Sequence, residues 1–207
     1  MRIYTLQVGE IGTNCYLAAS DAGNAAIVDP GAEPERIAAA LERHSLTPRL
    51  ILLTHGHFDH IGGAEALRQR YHIPLYVHAA DAELLSDPAK NGGKGLMGRE
   101  VTAGCDHLLV DGDRIPLDEL EFQVIHTPGH TKGSVCFAAE DALLTGDTLF
   151  CRGIGRTDLY GGSFPEIRRS LSRLAALEGD RRVFPGHGPA TTLDAERAEN
   201  PYLGERL

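Results

Sequence analysis

The chain has 207 residues, enough for one large domain or two small ones to bury a stable core without staples. Its formal net charge of −9, with no run of Lys or Arg, disfavours a nucleic-acid partner. No segment is long and apolar enough to span a bilayer. The start, Met1 to Thr5, lacks a basic region leading into an apolar stretch, so a cytoplasmic protein without membrane contact is expected.

Short strand-like runs open the chain at 3–8, 14–18 and 25–28, separated by glycine-containing turns that suit a meander. Helical spacing of Ile37, Ala40 and Leu41 predicts a helix over 34–44, and the run Leu50 to Leu53 predicts a buried strand after Pro48. A second helix follows at 64–71 and a strand at 75–77. The Gly-rich stretch Pro88 to Gly98 has no periodicity and reads as a surface loop or flap, with Lys90 and Lys94 solvated. The second half is rich in strands, at 121–126, 134–139, 142–144 and 182–184, with an amphipathic helix over 164–177. Strands followed by helices in both halves predict a layered α/β arrangement with both sheet faces covered, in a single domain over residues 1–207. Cys15, Cys105, Cys136 and Cys151 lie far apart without C-x-x-C spacing and read as reduced thiols.

The most informative segment is Thr54-His55-Gly56-His57-Phe58-Asp59-His60, where a buried strand gives way to a helix. In extended backbone His55 and His57 point to the same side, so both imidazoles can converge on one ion. Asp59 and His60, on the turn into the helix, can serve a second ion nearby. Gly56 is expected to permit a strained backbone, and Gly62-Gly63 close packing behind the ligands. Three later segments each put His or Asp at a strand end beside glycine: Pro128-Gly129-His130, Gly146-Asp147 and Pro185-Gly186-His187. His44, His72, His78, His107 and His126 complete no further cluster and read as surface or core residues.

With its T-H-x-H-x-D-H followed by a later His, Asp and final His, the sequence resembles the metallo-β-lactamase superfamily over nearly its whole length. The resemblance implies a four-layered αββα sandwich with the site along one edge of the paired sheets. It also implies that His55, His57 and His130 hold one metal, that Asp59, His60 and His187 hold the other, and that Asp147 bridges them. Two divalent cations about 3.5 to 4 Å apart need shared anionic oxygen between them. The mixed imidazole and carboxylate set suits Zn²⁺ first, with Fe or Mn²⁺ as alternatives.

Metal binding lowers the pKa of water from 15.7 to about 7, so a hydroxide bridging the metals is the expected nucleophile and one metal the expected oxyanion stabiliser. Asp59 and Asp147 count as catalytic in this reading, and Lys132, close to His130 in sequence, as the substrate contact. A narrower resemblance, on Gly153-Ile154-Gly155-Arg156-Thr157-Asp158, Thr127-Pro128-Gly129-His130 and Asn200-Pro201, is to the glyoxalase II group and its short bacterial relatives. It implies hydrolysis of acyl thioesters such as S-D-lactoylglutathione. Only twenty residues follow His187, so the helical C-terminal domain that helps hold glutathione in that group is not expected, and carrier recognition should be weak. Arg156 and Asp158 read as a buried ion pair ordering their loop. The alternatives are a persulfide dioxygenase with a single iron, a lactone or ester hydrolase on the same scaffold, and a non-catalytic module. The last is disfavoured because so many buried ligands would be costly to desolvate without a metal.

Overall fold

The fold is described from a computed structural model over residues 1–203. In chain order the elements are β1 (Arg2–Val8), β2 (Thr13–Ala19), β3 (Asn24–Val28), α1 (Pro34–Arg43), β4 (Thr47–Leu52), α2 (Phe58–Ile61), α3 (Ala64–Tyr71) and β5 (Leu75–His78). They continue with α4 (Ala82–Ser86), α5 (Gly93–Met97), β6 (His107–Leu109), β7 (Arg114–Leu117), β8 (Leu120–His126), β9 (Val135–Ala139), β10 (Ala142–Gly146), β11 (Leu149–Phe150) and β12 (Gly153–Ile154). The last are α6 (Phe164–Ala175), β13 (Arg182–Pro185), β14 (Thr191–Thr192) and α7 (Leu193–Glu199). None of these helices is long and apolar enough to cross a membrane.

The strands form two six-stranded sheets, ordered β1-β2-β3-β4-β5-β6 and β14-β13-β10-β9-β8-β7, and a small β11-β12 pair. Strand composition explains how the sheets are covered. Every residue of β2 and of β9 is buried, as expected of strands packed on both faces, whereas β8 alternates buried and exposed along most of its length. Three apolar cores separate four layers. One joins the first sheet to α1 and α3 through Leu17, Ile27 and Ile51 against Ile37, Leu41 and Leu67. A second lies between the sheets, with Val28 and Leu52 facing Phe122, Phe137 and Leu144. The third packs Ile125, Leu143 and Val183 against Ile167, Leu171 and Leu174 of α6. The order is the expected αββα sandwich.

Departures from the sequence expectations have local causes. β4 begins before Pro48 rather than after it: Ala25 pairs with Pro48 and Ala26 with Leu50, so the ladder slips at Arg49 beside the residue that cannot donate. The stretch from Pro88 to Gly98 lies mostly at the surface, as expected, but includes the one-turn helix α5, too short to give a period. Buried Asn91 braces it: its side-chain amide donates to the Leu84 and Val101 carbonyls, and its side-chain oxygen accepts from the Gly93 N–H. The four cysteines are free thiols, with Cys15 and Cys136 buried.

Candidate metal centre

The ligand-type residues gather where β4, β8, β10 and β13 end at their carboxyl sides. His55 and His57 follow β4, His130 lies in the β8–β9 connection, Asp147 follows β10 and His187 follows β13. The parallel β10–β13 pair bulges between Leu144 and Gly146, which turns Asp147 inward. Three overlapping groups have donor atoms within 4.8 Å of one another: His55 with His57 and His130, His55 with His60 and Asp147, and Asp59 with His60 and His187. His60 Nε2 lies 3.4 Å from both Asp59 Oδ2 and Asp147 Oδ1, and His187 Nε2 lies 3.2 Å from Asp59 Oδ2.

This donor set fits divalent cations. His55 Nε2, His57 Nε2, His60 Nε2 and Asp147 Oδ1 are buried without hydrogen-bond partners, an arrangement that would be costly unless a cation shared them. Burial, reinforced by neighbouring imidazoles, holds His55 well below the usual histidine range and His57 down to about 3, so both are neutral donors. Burial opposes charge on Asp59 and Asp147 too, but the His60 ring beside them outweighs it and keeps both carboxylates ionised. His60 shows the converse: burial disfavours its charge, and Asp59, Asp147 and Asp29 together raise its pKa.

A supporting layer fixes ring orientation. Asp29, at the end of β3, lies 3.0 Å from His60 Nδ1 and accepts from the Thr54 hydroxyl (2.6 Å) and the Thr54 N–H (2.7 Å). Because the Thr54 proton is given to Asp29, its oxygen accepts from His55 Nδ1 at 3.1 Å, which leaves His55 Nε2 as the lone-pair nitrogen. His130 Nδ1 donates to the Arg156 carbonyl at 2.7 Å, which leaves Nε2 as its lone-pair nitrogen, 2.9 Å from His57 Nδ1. Buried Asp81 ties two ligand loops together. It accepts from the Gly56 N–H between His55 and His57, and from the Thr131 hydroxyl and Gly133 N–H after His130. Thr13 donates to Asp59 Oδ2 at 3.0 Å.

None of Asp29, Asp81 and Thr13 was singled out from sequence. Asp29 carries the same signal as Asp147, an aspartate at a strand end beside a glycine turn; Asp81 and Thr13 carry no sequence signal. Gly56 also proves different from expectation. Its φ is not positive, and what it supplies is room, since a Cβ there would lie 2.6 Å from Leu84 Cβ. At Gly186 a Cβ would sit 2.1 Å from Asp147 Oδ1, so the side chain of a ligand occupies that space.

A cavity of about 490 Å³ opens over the cluster, bounded by His57, Asp59, His130, Asp147 and His187 at its floor. Lys132 is not among its lining residues. Its ammonium sits 5.2 Å from the Tyr160 ring centre, beside the Glu83–Lys90 pair. Arg156 does line the cavity and pairs with Asp158 through two bonds of 2.7 and 2.8 Å, but the pair is exposed rather than buried.

Residues 8–187 match the sequence model of the metallo-beta-lactamase superfamily. Hydroxyacylglutathione hydrolase GloC of Haemophilus influenzae is 34% identical over 211 residues, covering 100% of both chains. The crystal structure of BLEG-1 B3 metallo-beta-lactamase superposes with a TM-score of 0.94 at 41% identity, covering 98% of this chain and 99% of that one. TTHA1623, crystallised in a di-iron-bound form, gives a TM-score of 0.85 at 37% identity, covering 97% and 100%. The chain therefore belongs to the metallo-beta-lactamase superfamily, as a metal-dependent hydrolase with a His/Asp cluster for one or two ions.

Proposed function

We propose that this hydrolase cleaves acyl thioesters, S-D-lactoylglutathione among them, using two divalent ions, zinc first among the candidates. His55, His57 and His130 would hold one ion, Asp59, His60 and His187 the other, and Asp147 both. The observation that carries the reading is the cluster of unpartnered buried donors on His55, His57, His60 and Asp147, which reaches the floor of an accessible cavity through His57 and Asp147. When bound, the ions supply Lewis acidity and acidify a water, which is the chemistry that acyl hydrolysis needs at neutral pH.

The chain's own residues do the rest. Neutral His55 and His57 present lone pairs, the ionised pair Asp59 and Asp147 provides negative charge, and Asp29 and the Arg156 carbonyl keep the rings from rotating. A thiolate is a good leaving group, so the absence of a lysine from the described lining is no obstacle to thioester cleavage. The similarity to the hydroxyacylglutathione hydrolase of Haemophilus influenzae supports the same substrate class.

The test is metal analysis of purified protein beside hydrolysis assays on S-D-lactoylglutathione, other thioesters and a lactone. Two metals per chain with thioester cleavage is the expected result. One iron per chain, with O₂ uptake on glutathione persulfide and no thioester cleavage, would establish oxygenation instead.

A further inference from the structure

Resting on the thioesterase reading, we propose that the preferred substrates are apolar acyl thioesters of uncharged thiols rather than glutathione thioesters. Above the cluster the cavity is walled by Ile11, Leu96, Met97, Phe150, Ile154 and Leu159. Ile11, on the turn before β2, and Leu96, on helix α5, both line it, and each leaves about half its surface exposed, at 50% and 52%. A flanking cavity of about 200 Å³ shares Ile11, Phe58, Asp59 and Met97 and runs on to Val8, Ala32 and Val101. Glu10, Glu33 and Arg99 are also in its lining, so apolar area continues beyond the ligand cluster beside a mainly acidic set of charges. Isolated exposed side chains are ordinary, but two large apolar side chains lining one concave site indicate a ligand that covers them.

The charge arrangement points the same way. Glutathione carries two carboxylates, and their binding needs cations that are not already engaged. Among the described residues, Arg156 is the one lysine or arginine lining the main cavity, and both its bonds go to Asp158. Arg99, in the flanking cavity, pairs with Glu10 at 2.6 Å. Lys90 pairs with Glu83, and Lys132 lies over Tyr160 outside the lining. The cavity thus offers apolar area to an alkyl or aryl group and committed cations to an anionic carrier.

In the reaction, water oxygen bonds to the acyl carbon and the C–S bond breaks with its electron pair on sulfur. One proton ends on the thiol and one is released by the carboxylic acid.

Two measurements on the metal-loaded enzyme test the proposal. The first is kcat/KM for butyryl, hexanoyl and octanoyl thioesters of N-acetylcysteamine against S-D-lactoylglutathione. The second is calorimetric binding of the uncleavable S-butyl, S-hexyl and S-octyl thioethers of N-acetylcysteamine and of S-hexylglutathione. Burial of each methylene should lower KM and Kd about fourfold until the cavity is filled. Neutral carriers should exceed glutathione at least tenfold in kcat/KM. Leu96→Asp should flatten the chain-length series by raising KM, with kcat within about twofold, and Leu96→Met should keep it.

Thioester cleavage that ignores chain length, or that favours the glutathione carrier, would overturn the proposal while leaving the thioesterase reading intact. Chain-length-dependent thioether binding that is lost in Leu96→Asp, with no thioester cleaved, would sink the thioesterase reading and uphold the apolar ligand class. Neither cleavage nor graded binding would overturn both.

Discussion

Asp81 illustrates how much of the site depends on single residues that never touch it. Its carboxylate accepts three donors from two ligand-bearing loops with no exposure to solvent. In Asp81→Asn one acceptor becomes a donor facing another donor, which should cost about 2 to 4 kcal/mol. We expect a lower melting temperature and reduced bound metal, measured on the same preparation; unchanged values for both would contradict the role. His78 gives a pH signature away from the metals. It is buried, stacks on His126 with ring centres 4.0 Å apart, accepts from the Ala80 N–H through Nδ1, and faces Asp111 and Asp113 at longer range. Burial, then His126, brings its pKa to about 4, against about 6.5 in an unfolded chain. A histidine depressed in this way contributes fully above pH 6.5, and the contribution is lost as pH falls toward 4, on the order of 3 kcal/mol. Thermal melts between pH 7 and 4.5 should therefore show a smaller acid-side loss in His78→Phe than in the wild type, and parallel curves would refute this.

At the scale of elements, the site depends on contacts between the two sheets. The Asn14 side-chain amide, on β2, donates to the Pro185 and Gly188 carbonyls, its backbone N–H donates to Gly186, and the neighbouring Tyr16 hydroxyl donates to Pro185. Together these clamp the turn that carries His187. If two ions bind as proposed, Asn14→Ala should loosen that turn and drop metal content from two toward one per chain, leaving the His55, His57 and His130 side loaded; retention of both metals would contradict it. The sequence revealed those elements whose residues carry a period or a motif. The amphipathic pattern of α6 and the strand-end histidines were legible because side-chain direction follows directly from backbone period. The clamp was not, since Asn14 and Gly188 meet only after two sheets stack. Nor was the placement of Lys132: proximity to His130 in sequence suggested the cavity, but Gly133 bonds Asp81 just beyond it and the lysine side chain extends over Tyr160. β6 and α5 escaped because three and five residues are too few to show a pattern.

Taken as a whole, the molecule surrounds the ligand cluster with cores that do not depend on it, so the fold should persist without metal but lose stability. Bound ions would relieve two nearby carboxylates and several unpartnered ring nitrogens. Ligand linkage at a thousandfold excess over Kd corresponds to about 4 kcal/mol, or roughly 10 °C in a chain of this size. Calorimetric scans of stripped and reloaded protein should differ by about that amount, with a single cooperative transition in each; identical transitions would count against metal binding by the folded chain. Two-metal thioester hydrolysis is decided by titrating rigorously metal-free protein with Zn²⁺ while S-D-lactoylglutathione or a neutral thioester is turned over. No turnover is expected at zero metal, and activity should rise with bound zinc and saturate at two equivalents per chain. Full turnover by the metal-free protein, or none at any loading, would contradict two-metal thioester hydrolysis.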